Sequence, residues 1–79
     1  MEWQMKLNLI ASNMTELACN DGTKILFSYQ TPVACNIKGN YYKTSKKWSQ
    51  TTSRHINKWL DGVIAGQAEQ EFFDNLVNL

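Results

Sequence analysis

The chain has 79 residues, a net charge of +1 and two cysteines. A chain of this length buries only about 60% of its unfolded surface, so its apolar residues are needed for the core and a deep enclosed active site is hard to fit. It has no apolar run of the roughly 18–20 residues that a membrane helix needs, and its first residues lack the features of a signal peptide. We therefore expect a single domain, residues 1–79, located in the cytoplasm.

The first half of the chain has the two-residue period of β-strands. Five stretches are predicted as strands: 5–10, 14–19, 23–29, 33–38 and 41–44. The alternation is clearest in Met5 to Leu9 and in Val33 to Lys38, and 14–19 is a weaker candidate. Asn20-Asp21-Gly22 and Gly39-Asn40 can supply the positive φ of tight turns. Pro32 is expected in a turn or at the start of a strand, because it cannot donate a ladder hydrogen bond. The pattern predicts a small antiparallel β-meander of three to five strands.

The second half has the period of α-helices. One helix face is marked by apolar residues at i, i+3, i+4 and i+7: Ile56, Trp59, Leu60 and Val63. Ser49, Thr51 and Thr52 can each cap the start of this helix, and Asp61-Gly62 can end it. A last helix is predicted over about 67–78, with these residues facing inward: Ala65, Ala68, Phe72, Phe73, Leu76 and Leu79. The predicted fold class is α+β, a small antiparallel β-meander followed by two α-helices packed on one face.

The charges are distributed unevenly along the chain. Residues 22–60 contain no Asp or Glu and carry a local charge of +7, whereas residues 1–21 and 61–79 carry −2 and −4. Such a chain can present a basic face although its total charge is near zero. The densest basic part, residues 41–48, leads into the first predicted helix.

Seven residues of this basic region form the predicted partner-binding site: Tyr41, Lys43, Lys46, Lys47, Trp48, Arg54 and Lys58. Cationic and aromatic side chains together suit acidic protein surfaces and also the phosphates and bases of nucleic acid. Three interpretations are open: an ordinary charged exterior, a contact surface for an acidic protein or nucleoprotein, and direct nucleic-acid binding. Trp48 and Trp59 can equally belong to the core, since Trp59 lies on the apolar helix stripe.

Residues that could support catalysis are sparse. His55 is the only histidine, and no carboxylate lies near it on the predicted helix to orient it as a general base. A cap or surface role is therefore favoured for His55, and the four glycines form no phosphate-binding loop. We assign no catalytic residues and no cofactor, and an enzyme or toxin that uses His55 is the competing hypothesis.

Cys19 and Cys35 lack the sequence context of an activated thiol. In a reducing compartment we expect two free thiols that pack as small hydrophobic side chains. The alternatives are a disulfide between them and a zinc site completed by His55. The zinc alternative is weakened because the chain has no C-x-x-C pair.

Two segments resemble a known kind of domain. The first is Phe27-Ser28-Tyr29-Gln30-Thr31, an FSY-x-T pattern that is followed by a turn at Gly39. The second is the helix start from Ser49 to Ile56, an S-x-T-T-x-x-H-I pattern. Together they resemble a short uncharacterised domain of bacteriophage and prophage proteins, and the resemblance covers residues 25–60.

The resemblance implies a small phage protein that binds host machinery, and anti-CRISPR proteins are one class of such inhibitors. It implies a non-catalytic protein that docks on, and inhibits or modulates, a host defence or nucleic-acid-processing complex in the host cytoplasm. The shared Ser-Thr-Thr and His positions would then be a helix cap and the partner of a buried polar group. The alternative is a small nucleic-acid-binding accessory protein that uses the basic residues 38–58. Both a monomer and a homodimer are open, because the strand predicted over residues 5–10 could pair with a copy of itself.

Overall fold

The structure, a computed structural model, describes residues 5–77. Within that range the chain forms six strands and two helices. In chain order these are β1 (Met5–Ala11), β2 (Met14–Cys19), β3 (Lys24–Ser28), β4 (Thr31–Ile37), β5 (Asn40–Thr44), α1 (Gln50–Leu60), β6 (Gly66–Ala68) and α2 (Gln70–Val77). The predicted α+β class, a mainly antiparallel sheet followed by helices, is confirmed. No helix in the range 5–77 is both long and apolar enough to cross a bilayer.

The strands lie in the sheet in their order along the chain, from β1 at one edge to β6 at the other. β1 to β5 form an antiparallel meander, joined by tight connections. The hairpins turn at residues with positive φ, which include Asn13, Gly22 and Gly39. Two irregularities interrupt the ladders, one between Leu9 and Ala11 in β1 and one at the start of β4.

The strand β6 was not predicted from the sequence. It pairs in parallel with β5, so that Thr44 lies opposite Ala68, and α1 forms the crossover between the two strands. The sequence Gly-Gln-Ala lacks the β-branched and aromatic residues that favour strands, and the segment becomes a strand through its pairing with β5. As a result the last helix is shorter than expected, with Gln70 as its first residue. Asn78, the expected end of that helix, and Leu79 lie outside the described residues.

The core has two layers, one on each face of the sheet. On one face α1 places Ile56 and Leu60 against Met14, Leu26 and Val33. Ala34 belongs to the same buried cluster, and Trp59 borders it. This layer fixes the position of α1 over the middle of the sheet.

On the opposite face α2 places the fully buried Phe73 against Ile25 and Cys35. Because Ile25 and Leu26 are consecutive in β3, their side chains point to opposite faces, and both are buried. The two helices therefore cover opposite faces of the sheet, and the expectation that they pack on one face is corrected. The physical reason is that the β5–α1–β6 crossover uses one face, which leaves the other for α2.

Candidate binding surface

A cleft of about 310 Å³ opens between β5, α1 and β6, and we call it the basic cleft. Its walls come from the end of β5, the loop that follows, one side of α1 and the middle of β6. The lining residues are Lys43, Thr44, Ser45, Lys46, Lys47, Ser53, Ile56, Asn57 and Gln67. Three lysines and no carboxylate therefore face one cavity, and the remaining lining is rich in hydroxyl and amide groups that can donate hydrogen bonds to an anion.

The loop that carries Lys46 and Lys47 is held at both ends. At its start the buried Thr44 donates its hydroxyl proton to Gln70 Oε1 at 2.9 Å and accepts the backbone N–H of Lys46 at 3.1 Å. At its end Ser49 is the N-cap of α1 and accepts the backbone N–H of Thr52 at 3.2 Å. These bonds hold the backbone of the loop at both of its ends.

Gln70, the first residue of α2, joins this loop to the sheet. Its Oε1 also accepts the indole N–H of Trp48 at 3.1 Å, and its Nε2 donates to the carbonyl oxygen of Pro32 at 2.7 Å and to Asp74 at 3.0 Å. One amide side chain thus ties Trp48 and the end of β5 to β4. Sequence reasoning missed this role, because nothing local distinguishes Gln70 from the other polar residues of α2.

Trp48 is 40% exposed, and the ammonium group of Lys46, a residue of the cleft lining, lies 4.2 Å from the centre of its ring. This is a cation–π contact, which orients Lys46 without neutralising its charge. Trp48 is therefore a surface residue, and the alternative that it belongs to the core is wrong.

The structure divides the seven predicted contact residues into two groups. Lys43, Lys46 and Lys47 line the basic cleft, and Trp48 contacts one of them, Lys46. The other three do not line the cleft: Tyr41, Arg54 and Lys58. On a helix with about 100° per residue, Arg54 and Lys58 point roughly 105° and 145° away from the mean direction of the cleft-lining side chains of α1, and both are exposed.

Tyr41 is half-buried and packs edge-on against Trp59, with the ring centres 5.7 Å apart. The Trp59 indole N–H in turn donates to Glu16 Oε1 at 2.8 Å. Tyr41 and Trp59 therefore belong to the layer between α1 and the sheet. Their apolar surface is engaged inside the fold, in contrast to that of Trp48.

The two segments that carry the FSY-x-T and S-x-T-T-x-x-H-I patterns meet in a second cluster. Ser28 Oγ lies 2.8 Å from His55 Nδ1 and 3.0 Å from Thr52 Oγ1, and Ser49 Oγ donates to Thr52 at 3.3 Å. Tyr29 completes the cluster, with its ring centre 6.0 Å from that of His55. Ser49 thus caps α1, and His55 is a partner of the buried Ser28 hydroxyl.

The Ser28–His55 pair resembles a nucleophile and its base, but its geometry favours a structural role. Ser28 is only 2% exposed, so a substrate could not reach its hydroxyl without the sheet and α1 separating. Its hydroxyl is also shared with Thr52, so that two side chains of α1 contact it at once. The cluster connects β3 to the first turns of α1, as buried polar groups do when every partner is satisfied.

Both cysteines are free in the structure, Cys35 buried and Cys19 half-buried. Burial raises the pKa of the Cys35 thiol to about 11, and burial together with the nearby Asp21 carboxylate raises the pKa of Cys19. A raised pKa keeps a thiol protonated and poorly nucleophilic. Between residues 5 and 77, no three His, Cys, Asp or Glu side chains are grouped so as to hold a metal ion.

Comparison with known proteins gives one match. The sequence profile of a protein family matches residues 5–75, and that family is described only as one of unknown function. No curated protein and no solved structure matches the chain.

Proposed function

Because the chain belongs to this family of unknown function, DUF8033, we propose its function from the geometry: it is a small, non-catalytic binding domain that docks its basic cleft on an acidic surface of a partner. The observation that carries the proposal is a cavity that gathers Lys43, Lys46 and Lys47 with no carboxylate in its lining. Like charges that converge repel one another, and an anionic partner group converts that repulsion into attraction. The cleft is also pre-formed, since Thr44 and Ser49 fix the loop that carries two of its lysines.

The kind of partner follows from the resemblance to phage domains. We propose a host defence or nucleic-acid-processing complex, which the domain inhibits or modulates in the manner of an anti-CRISPR protein. A basic cleft supports docking on an acidic or nucleoprotein surface, and it argues against mimicry of DNA, which requires a strongly negative surface.

A second candidate function is the binding of nucleic acid itself, and the exposed Trp48 favours it. The indole ring, which Lys46 contacts, offers a base a surface for stacking while the lysines of the cleft contact phosphates. The hydroxyl and amide groups of the cleft could donate to phosphate oxygens. A site with three lysine contacts would give log K against log salt a slope of about −2 to −3.

The experiment that tests the proposal is an affinity purification from bacterial lysate with three forms of the tagged protein. These are the wild type, the variant Lys46→Glu/Lys47→Glu, and the control Lys24→Glu/Lys38→Glu, which changes the net charge equally at exposed lysines outside the cleft. We expect a defined complex that survives nuclease treatment, persists in the control and is lost in the cleft variant. Equal recovery by both variants would refute a role for the cleft.

Nuclease separates the two candidate functions. If nuclease treatment removes all the material that co-purifies with the tagged protein, we would conclude that the domain binds nucleic acid directly and does not dock on a protein. Fluorescence anisotropy with labelled single-stranded and duplex DNA then measures the salt slope. A flat salt dependence would exclude the phosphate contacts.

A further inference from the structure

The strand β1 is the edge of the sheet, and it is a long one. It pairs with β2 on one side, and within the described residues no strand pairs with its other side. The opposite edge, β6, has only three residues, Gly66–Ala68. An unpaired strand presents a row of free N–H and C=O groups that can pair with another chain. Of the two edges, only β1 is long enough to support such pairing.

The same strand exposes two leucines on one face. Leu7 is 71% exposed and Leu9 is 75% exposed, and alternation along the strand places both on the face that α2 covers further along the sheet. There α2 packs on β4 and leaves the leucines of β1 uncovered. Natural edge strands are commonly protected by charges, but the regular part of β1 carries one charge, Lys6, on the other face.

We propose that β1 pairs antiparallel with β1 of a second copy of this chain, about a two-fold axis at Leu7. The axis falls there because the ladder with β2 is regular from Met5 to Leu9 and shifts between Leu9 and Ala11. Pairing centred on Leu7 joins the two six-stranded sheets into one continuous sheet. The regular parts of the two strands then overlap completely.

A second copy suits this edge because the strand is complementary to itself. A two-fold axis perpendicular to the sheet brings identical faces together, so the leucines of both copies form one apolar cluster. In the register centred on Leu7, Leu7 lies opposite its own counterpart and Lys6 lies opposite Asn8. No like charges meet, and the single cation faces an uncharged amide.

The interface is small. A pair of five-residue strands with two exposed leucines each falls below the roughly 800 Å² per partner of a standard interface. Association is therefore expected to be weak and to depend on concentration. Because β1 and the basic cleft lie at opposite edges of the sheet, the dimer leaves both clefts open.

The test is the mass in solution, measured by sedimentation equilibrium across a hundredfold range of protein concentration. We expect the wild type to move from 9.1 kDa towards twice that mass as concentration rises, whereas Leu7→Lys and Leu9→Lys stay monomeric. Both leucines are exposed, so these changes leave the core intact, and circular dichroism verifies the fold. The control Ile64→Lys replaces a 96% exposed apolar residue away from β1 and is expected to dimerise like the wild type. A wild type that is monomeric throughout, or a dimer that Leu7→Lys does not weaken, would overturn the proposal.

Cysteine substitution tests the register. In a background with Cys19→Ser, the variant Leu7→Cys is expected to form a disulfide-linked dimer under mild oxidation, because the Cβ atoms of directly opposed residues lie about 4.5–5.5 Å apart. Asn8→Cys serves as the control, since Asn8 lies opposite Lys6 and not opposite itself. Cross-linking of Asn8→Cys in preference to Leu7→Cys would overturn the pairing centred on Leu7.

Discussion

Ser28 on β3 and His55 on α1 are 27 positions apart in the sequence, and in the structure the Ser28 hydroxyl oxygen lies 2.8 Å from His55 Nδ1. Thr52 bonds to the same hydroxyl from the preceding turn of the helix. One buried hydroxyl therefore ties two positions on α1, one turn apart, to β3, in addition to the apolar packing of the helix on the sheet. Since α1 forms one wall of the basic cleft, this relationship bears on the candidate site as well as on stability.

The first prediction concerns the stability that Ser28 supplies. Ser28→Ala leaves Thr52 and His55 without their shared partner inside the protein, so the free energy of unfolding should fall by about 1–3 kcal/mol. Ser53→Ala is the matched control: Ser53 is exposed on α1, and its loss should change stability by less than about 0.5 kcal/mol. Urea unfolding of the three proteins measures both values. Equal effects of the two substitutions would mean that the buried cluster contributes nothing specific.

A second prediction concerns the tautomer of His55. Ser49 donates to Thr52, so the arrangement that gives each hydroxyl proton an acceptor runs from Thr52 to Ser28 and from Ser28 to His55 Nδ1. Neutral His55 should therefore carry its proton on Nε2. Because His55 is the only histidine, long-range ¹H–¹⁵N correlation spectra of the labelled protein report it directly. Protonation on Nδ1 in the neutral form would contradict this arrangement, and Ser28→Ala should weaken the Nε2–H preference.

The third prediction tests Gln70 as the support of the basic cleft. Gln70→Ala removes the acceptor of Thr44 and Trp48 and the donor to Pro32, so we expect a loss of about 1–3 kcal/mol in stability. The backbone amide of Lys46 should also exchange faster with solvent, because its acceptor, Thr44, is no longer held. Hydrogen exchange followed by NMR provides this measurement. Gln67→Ala, which alters an exposed residue of the cleft wall, should leave the Lys46 amide unchanged.

The fourth prediction separates two adjacent phenylalanines of α2. Phe73 is fully buried between α2 and the sheet, so Phe73→Ala should cost about 3–5 kcal/mol of stability. Phe72 is 37% exposed and packs edge-on against Tyr42, so Phe72→Ala should cost less than about 2 kcal/mol. Denaturant unfolding distinguishes the two. A larger loss for Phe72→Ala would mean that α2 presents a different face to the sheet.

Much of the fold is determined by local sequence. Alternation and turn residues predicted the strands β1 to β5, because hairpins form between neighbouring segments and their turns demand residues such as Gly22 and Gly39 that accept positive φ. The start of α1 was also predictable, because Ser49 acts within one turn of the helix as its N-cap. The presence of a basic region likewise followed from the distribution of charges along the chain.

Only the tertiary structure decided how these parts are arranged. Gly66–Ala68 becomes a strand because β5 lies beside it, and the crossover through α1 then sends α2 to the opposite face. The same packing brings Lys43, Lys46 and Lys47 into one cleft, whereas Arg54 and Lys58 point elsewhere. It also leaves Leu7 exposed, although the alternation around Leu7 is typical of a half-buried strand. Periodicity specifies which side chains share a face of a strand or helix, because that depends on local geometry. Which of those faces becomes covered depends on contacts between segments far apart in the chain, and no local pattern encodes them.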